Sequence, residues 1–486
     1  MHSCYSPADV MCNFASLPSA MEATQEIGLI IVGAAGYRGH SALEILPKLR
    51  AEERAKGIHL RLVSLAEANE NSRAALPSQA AALAGSPCPV VGMLSEAIPV
   101  ALQWLADGQT RRKLLVYDAT PAAHHYLHLM TVLPYTARGH IFYLGEKPLF
   151  TDQGQIDFIE RNFARQTFFC ELIETENPAF RAASEFLLSE PFQIERMTFW
   201  RASCMGVLLA AGDGRAGAEG GALLDKAPHD LSVSLGLVGP RFVERWSVTQ
   251  ARTHLLALHE DAFRLGKRNF LSVAGTSLSD THCPARIPQH QPADALASFE
   301  VHLTLGGNLV VPVSYIASWV GMQNTPPELT LSSKLASLGL APAEWQNHEA
   351  PQLSSNRQYR YQNQEVRIAL IEGLLGNRQV QVVLNLLAKF AGHRFVHLIG
   401  EDRRREILFE EKDACDYHDS KEADLFAVFQ RVVEHCAGLR TAENVATGAS
   451  LLVHKIMLGA LLKAHEQLPA TDQDAAYRAS AVAYAK

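Results

Sequence analysis

Apolar and polar positions along the first third of the chain follow a strand-helix rhythm. IGLIIVG (27–33) is an unbroken apolar run ending in glycine, the pattern of a strand buried on both faces of a parallel sheet. RGHSALEILPKLR (38–50) places Ala42, Ile45, Leu46 and Leu49 at helical spacing, and Pro47 is expected to break or kink that helix. IHLRLVSLAE (58–67) supplies a second strand, so the segment reads as one strand–turn–helix–strand unit. The Ala-rich residues 74–110 predict one or two helices around PSQ and SPCP loops. Further strands are expected at 113–121, 140–148 and in TFFCELIETEN (167–177), with helices over HHYLHLMTVL and QIDFIERNFARQ between them. Such alternation predicts a doubly wound parallel sheet over 27–176.

After about residue 177 the rhythm changes. FQIERMTFWRAS, RFVERWSVTQARTH and ASFEVHLTLGGNLVVPVSYIASW read as strands, the last as a hairpin turning at Gly306-Gly307-Asn308. They predict a second, α+β domain over 177–486 with an open, mainly antiparallel sheet. Within it, residues 275–295 predict a loop, 322–360 look irregular, and EDRRREILFEEKD (401–413) reads as charged and solvated. Two helical stretches between Lys421 and His465 close the chain and are expected to pack back on the first domain. Residues 1–26 lack the positive start and apolar core of a secretory signal and read as a mobile extension.

Composition narrows the classes. The chain has 486 residues, 48% hydrophobic and 20% charged, with net charge -7 and both signs scattered. No basic block points to nucleic acid, and no apolar run approaches the roughly 20 residues of a membrane span. The eight cysteines form no CxxC pair and suit a reducing cytosol. Neither His282-Cys283 nor the cluster His124, His125 and His128 offers a zinc ligand set, so no metal is expected.

The candidate chemistry starts at the turn Gly33-Ala34-Ala35-Gly36-Tyr37-Arg38-Gly39. A parallel strand delivers the chain to a helix N-terminus, where free amides and the helix dipole attract a pyrophosphate. Gly33 allows the tight turn, Gly36 lets backbone approach phosphate, and Gly39 lets helix pack on strand. Glu67 ends the second strand, where an acid can hold adenosine ribose hydroxyls and repel a 2′-phosphate. That favours NAD over NADP, although Arg73 lies near enough to serve a phosphate instead. Thr120-Pro121 ends an apolar strand, at the edge where ligands bind in open α/β sheets, or simply starts a helix. Glu146-Lys147-Pro148 ends another; a lysine there can bond a substrate hydroxyl and the nicotinamide ribose. In GGALLDKAPHD (220–230), Asp225 and His229 stand at i and i+4, so a carboxylate would orient an imidazole that takes or returns a proton. Alternatively, Pro228 marks a first helical turn and Asp225 is its N-cap.

The ordered set GxxGYRG, TP, EKP and GG-x3-D-x3-HD resembles the Gfo/Idh/MocA family of glucose-fructose oxidoreductase and inositol dehydrogenase, over roughly residues 27–320. The resemblance implies a Rossmann domain, a substrate domain whose open sheet also serves a homo-oligomer (dimer or tetramer), NAD or NADP, and a sugar, cyclitol or related polyol as substrate. It implies that Lys147 touches cofactor and substrate, that Asp225 and His229 are the paired active-site residues, and that Glu146 and His125 lie on the cofactor side. Ala35, Tyr37 and Arg38 would join the cofactor cradle. Asn177 is placed loosely at a substrate-contacting segment, and Lys226 adds a cation suited to an acidic substrate group. The chain exceeds a typical member at 1–26, 74–110, 275–295 and 330–420. Two readings of the same design remain beside it: a glycosidase that retains its NAD, and a nucleotide-binding scaffold or sensor without catalysis. A semialdehyde reductase would need a nucleophilic cysteine in a polar turn, whereas Cys170 sits inside the apolar strand FFCELI and Cys204 has no evident base partner.

Overall fold

The computed structural model describes residues 25–85, 87–107, 112–137, 139–163, 165–202, 221–257, 292–318, 330–340, 366–387, 394–411 and 417–467. The expected extension at 1–26 therefore lies outside them except for Gln25 and Glu26. So do most of the loop at 275–295 and of the irregular stretch at 322–360.

Strands β1 (Gln25–Val32), β2 (Ile58–Ala66), β3 (Val90–Val91), β4 (Arg112–Asp118), β5 (Ile141–Glu146) and β6 (Phe168–Glu171) form one six-stranded sheet in the order β3-β2-β1-β4-β5-β6. Every pairing in it is parallel. This is the doubly wound order that reverses direction beside β1, the switch point at which dinucleotides bind. Helices α1 (Tyr37–Ala55), α2 (Glu70–Arg73), α3 (Leu76–Ala84), α4 (Leu94–Ala106), α5 (Ala122–Thr136) and α6 (Gln153–Phe163) make the crossovers. The strand interiors Ile27, Ile30, Ile31, Leu114, Leu115 and Val116 are wholly buried, as covering both faces demands.

Three local expectations change. Helix α1 continues through Pro47, because Leu43, Leu46 and Leu49 are buried on its inner face and hold it in register. The PSQ segment opens helix α3 with Pro77 in its first turn, where the missing amide costs nothing. Strand β6 stops at Glu171, and Ile173–Glu176 forms a tight 3₁₀ turn instead of extending the strand.

After helix α7 (Pro178–Ser189), strands β7 (Phe192–Ala202), β8 (Val243–Ala257), β9 (Pro292–Leu305), β10 (Leu309–Ser318), β11 (Val366–Leu375), β12 (Arg378–Asn385), β13 (Phe395–Gly400) and β14 (Arg405–Glu410) follow. They form a sheet ordered β14-β13-β12-β11-β7-β10-β9-β8, in which only β7 and β10 pair in parallel. The β9–β10 hairpin turns at Gly306–Asn308, with Leu305 opposite Leu309. The segment expected to be merely solvated holds strand β14, which among the described residues is the edge of this sheet and whose charged, exposed residues suit an edge.

Helix α8 (Gly221–Val238) lies on the inner face of this sheet, between β9 and β10 on one side and the last helix on the other. Ser234 Oγ on α8 meets Tyr315 Oη at 2.5 Å, and Tyr315 stacks between Phe199 and Phe299. On the outer face, Trp200, Ile368, Leu370, Phe395 and Ile399 form a second core with Leu331, Leu335 and Leu340. The short helix α9 (Ser332–Ser337) seals part of that face, held by Lys334 to Glu372 at 2.6 Å.

Helices α10 (Tyr417–Ala437) and α11 (Thr447–Glu466) return to the first sheet. Phe168 N donates to Thr447 Oγ1 at 2.9 Å, and Cys170 N donates to Val445 O at 2.9 Å, so the chain beside α11 adds to the edge at β6. Gln25 on β1 donates to Ala437 O at 2.8 Å. Helix α11 is long and apolar enough to cross a membrane by composition, yet Val453, Ile456, Met457 and Ala460 are buried within the protein.

Candidate active site

The glycine turn sits at the carboxyl end of β1. Gly33 has φ 71°, and a Cβ there would lie 3.1 Å from Ala119 C and from Thr120 Cγ2. The turn is thus pressed against the loop after β4. A Cβ on Gly39 would lie 2.3 Å from Gly33 O, so only glycine lets α1 approach the turn. Gly36 caps α1 from extended backbone with no side-chain cap, and the first helical turn holds no acid. The first-turn amides and the helix dipole therefore suit a pyrophosphate. Glu67 stands beside the turn, accepting from Ala35 N and from Asn69 N, both at 3.0 Å. Arg73 pairs with Glu70 at 3.5 Å and lies across Gly92. Tyr37 begins α1, and its side chain lies outside the described ones.

Arg38 departs from the cofactor-side expectation. Its guanidinium is buried, 3.4 Å from both Glu146 and Glu171, so its side chain ties α1 to β5 and β6. Glu171 also accepts from Tyr117 Oη at 2.5 Å. Glu146 is the more open end of this cluster.

At the end of β4, Asp118 organises the Thr120-Pro121 loop. Its Oδ1 accepts from Thr120 N at 3.0 Å and Thr120 Oγ1 at 2.6 Å; its Oδ2 meets Tyr143 Oη at 2.8 Å and His128 Nδ1 at 2.9 Å. Burial pushes the Asp118 carboxyl up, but His128, His125 and the Thr120 bond hold it below the usual range. Thr120 spends its hydroxyl here, and Pro121 is the exposed N-cap of α5. What this loop offers a ligand is therefore backbone beside Gly33.

His125 is corrected from cofactor ligand to structural clamp. It is 1% exposed, with Nδ1 2.8 Å from Pro148 O and Nε2 2.6 Å from Thr120 O. The next residue of the Glu146-Lys147-Pro148 turn is held from the far end of the chain: Leu149 N donates to His454 Nε2 at 2.8 Å, while His454 Nδ1 donates to Ser450 O at 2.6 Å. Burial depresses His454 to about 4, so it stays a neutral acceptor.

From that turn Lys147 reaches into α8. Its ammonium lies 2.5 Å from Asp225 Oδ1 and 3.0 Å from Asp225 O. Lys226 takes the other oxygen, Oδ2, at 2.7 Å. Burial raises the Asp225 carboxyl, but these two ammonium groups outweigh it and hold the group well below the usual range. Helix α8 begins at Gly221, so Asp225 is an interior residue and not an N-cap, and Pro228 is accommodated in the second turn.

The structure corrects the partner of His229. Its Nδ1 pairs closely with Glu174 Oε2, not with Asp225. Glu174, from the 3₁₀ turn after β6, also accepts from Arg201 at 2.8 Å and Arg367 at 3.3 Å. Those arginines are opposite each other on β7 and β11, an arrangement that needs a carboxylate between them. Asp230 takes Arg201 Nε at 2.8 Å. Burial raises Glu174, but His229 and Arg201 hold it well below the usual carboxylate range; burial lowers His229 to about 3 against the pull of Glu174. His229 is thus neutral, with Nδ1–H turned to Glu174 and the lone pair on Nε2. The i, i+4 rule failed because Asp225 is captured by Lys147 from the turn after β5, a contact that no helical period encodes.

Asn177 is likewise reassigned. It is 1% exposed and caps α7, accepting from Ala179 N at 3.0 Å and donating to Leu386 O at 2.9 Å, so its amide is committed to the scaffold. Cys170 is fully buried, and burial raises its thiol well above the usual value, which leaves it inert as a nucleophile. Cys204 lies outside the described residues. Among the described residues no cluster of His, Cys, Asp and Glu has metal-holding geometry.

No protein-family model matches the sequence, and no curated protein matches it. Solved structures do. Levoglucosan dehydrogenase, in complex with NADH and levoglucosan, aligns with 91% of this chain and 98% of its own at 13% identity and a TM-score of 0.55. GenD2 from gentamicin A biosynthesis, in complex with NAD, aligns over 93% and 98% at 15% identity and a TM-score of 0.51. Myo-inositol 2-dehydrogenase from Lactobacillus plantarum aligns over 91% and 98% at 11% identity and 0.52. The chain therefore shares the fold of these proteins, with a doubly wound parallel sheet followed by a mixed, mainly antiparallel one, which is the fold class that its Gfo/Idh/MocA-like motifs imply.

Proposed function

We propose that this chain is an NAD(P)-dependent oxidoreductase acting on a carbinol carbon of a sugar, cyclitol or related polyol. One observation carries the reading. A neutral imidazole, His229 on α8, and an ammonium group, Lys147 in the turn after β5, lie at the carboxyl end of the parallel sheet beside a glycine turn suited to pyrophosphate. The nicotinamide, when bound, supplies the hydride acceptor. The residues do the rest. His229 Nε2 takes the hydroxyl proton as the C–H bond breaks, and Glu174 stabilises the imidazolium that results. Lys147 polarises the substrate oxygen, and Asp225 fixes the direction of its ammonium. Gly33, Ala35, Gly36 and Gly39 shape the phosphate cradle. Glu67 favours NAD, because its carboxylate would repel a 2′-phosphate.

Thermal shift with NAD(H) and NADP(H), followed by a panel of sugars, cyclitols and sugar acids, tests the reading, since ligands stabilise what binds them. His229→Ala is expected to keep cofactor binding and lose turnover. A wild-type protein that binds neither cofactor overturns the proposal. Cofactor that survives gel filtration without net NADH production would replace it with an NAD-retaining glycosidase.

A further inference from the structure

We propose that Asp230 is a positioning residue for His229 that acts at one remove: it holds Arg201 to a one-pronged grip on Glu174, which reserves Glu174 Oε2 for the imidazole. The inference rests on the oxidoreductase reading and deepens it, since it names what keeps the Nε2 lone pair free. Asp230 follows His229 on α8, and successive residues on a helix point about 100° apart, so the acid does not serve the imidazole directly. Its side chain turns to β7, where Oδ1 accepts from Arg201 Nε at 2.8 Å. Arg201 Nη1 donates to Glu174 Oε1, also at 2.8 Å, and Arg367 Nη1 reaches that same oxygen at 3.3 Å. Oε2 is left to His229 Nδ1.

The telling atom is Arg201 Nη2. It is buried without a hydrogen-bond partner, in a side chain only 3% exposed. A guanidinium beside a carboxylate frequently closes a fork, two parallel N–H bonds to the two oxygens. With Nη1 already on Oε1, Nη2 would complete the fork by taking Oε2, the oxygen that orients His229. An empty buried donor is costly, so the guanidinium is held off that fork by something else. Its plane is rigid, and fixing Nε fixes the direction of the other two nitrogens. Asp230 is the group on Nε. The remaining charges near the pair have other holds: Lys147 is bonded to Asp225, and Asp424 on α10 accepts from Arg394 at 2.9 Å.

The lone pair can be read without a substrate. Long-range proton–nitrogen spectra of protein carrying isotope-labelled histidine distinguish protonated from unprotonated ring nitrogens, and the His229 signals are those lost in His229→Gln. In wild type near neutral pH, the proton is expected on Nδ1 rather than Nε2 by about tenfold or more, the factor that one charge-assisted hydrogen bond supplies. Asp230→Ala should lower that ratio by about tenfold, because Arg201 closes on both oxygens of Glu174. Asp230→Asn keeps an acceptor at Nε and should stay within about threefold of wild type. In the Asp230→Ala background, Arg201→Lys should restore the wild-type ratio, since a single ammonium presents no fork. An Asp230→Ala spectrum like that of wild type, an Asp230→Asn shift as large as that of Asp230→Ala, or no recovery in the double variant overturns the inference. So does a wild-type His229 protonated on Nε2, a result that needs no variant to fold. Thermal shift with NADH is read alongside: absence of NADH binding overturns the oxidoreductase reading, and the catalytic use of the lone pair with it, whatever the spectra show.

Discussion

Glu174→Gln separates the partner seen in the structure from the partner that spacing suggests. The substitution keeps the size of the side chain and one acceptor oxygen but removes the charge that faces His229, Arg201 and Arg367. Arg201 and Arg367 would then stand opposite each other without the carboxylate between them, Asp230 remaining on Arg201 Nε. Breaking a buried pair costs roughly 3–5 kcal/mol, and the remaining oxygen of Gln places this change near about 3 kcal/mol. At about 2–4 °C per kcal/mol for domains of this size, Tm falls by roughly 6–12 °C. The effect on turnover is larger. Without the carboxylate, the Nδ1–H tautomer of His229 is no longer favoured and the imidazolium formed during oxidation loses its counter-charge; kcat is expected to fall by about 10²–10⁴. The glycine turn is untouched, so the Kd for NADH should stay within about twofold. Calorimetry, NADH titration and steady-state kinetics below the lowered Tm read the three quantities separately. A folded Glu174→Gln protein with kcat within about threefold of wild type would refute the assignment and return the orienting role to Asp225.

Three further predictions follow from the geometry. Gly39→Ala pushes a methyl to 2.3 Å from Gly33 O; NADH affinity should drop at least tenfold with the second domain still folded, as titration and circular dichroism will show. His454→Ala leaves Leu149 N–H without its acceptor and opens a cavity beside Phe150, so stability should fall by roughly 2–5 kcal/mol in urea and kcat should fall with it because the Lys147 turn loosens. Acid should weaken the fold through the same histidine. Its folded value of about 4 lies below the ordinary 6.5, so the unfolded chain takes the proton first. The stability is complete above pH 6.5 and is lost as pH falls towards 4. A gap of 6.5 − 4 = 2.5 units corresponds to about 3 kcal/mol. Urea midpoints between pH 7 and 4 should drop accordingly in wild type and less in His454→Ala.

The parts that were legible in the sequence are those with a local period. The βαβ opening, the helices α5 and α6, and the β9–β10 hairpin all announce themselves by apolar spacing or turn residues. Strand β3 does not, because two residues show no alternation. Strands β11 to β14 were passed over within a stretch read as an insertion, although β11 is as apolar as β1. The site divides in the same way. Glycines, Lys147 and His229 are recognisable because backbone conformation or chemistry demands those residue types where they stand. Glu174 is not, because its role is created by Arg201, Arg367 and His229, which arrive from three other elements. The one available signal was an acid run, Glu171, Glu174 and Glu176, at the end of an apolar strand, where unpaired carboxylates are rarely buried.

The grip of His454 on Leu149 joins positions 305 residues apart. During synthesis the strands of the parallel sheet emerge long before α11, yet the lysine turn gains its second clamp only when that helix docks. On the proposed reading, a nascent or clipped chain lacking α11 would carry the glycine turn with an unset lysine, so cofactor binding and turnover would become possible at different moments in the life of each molecule.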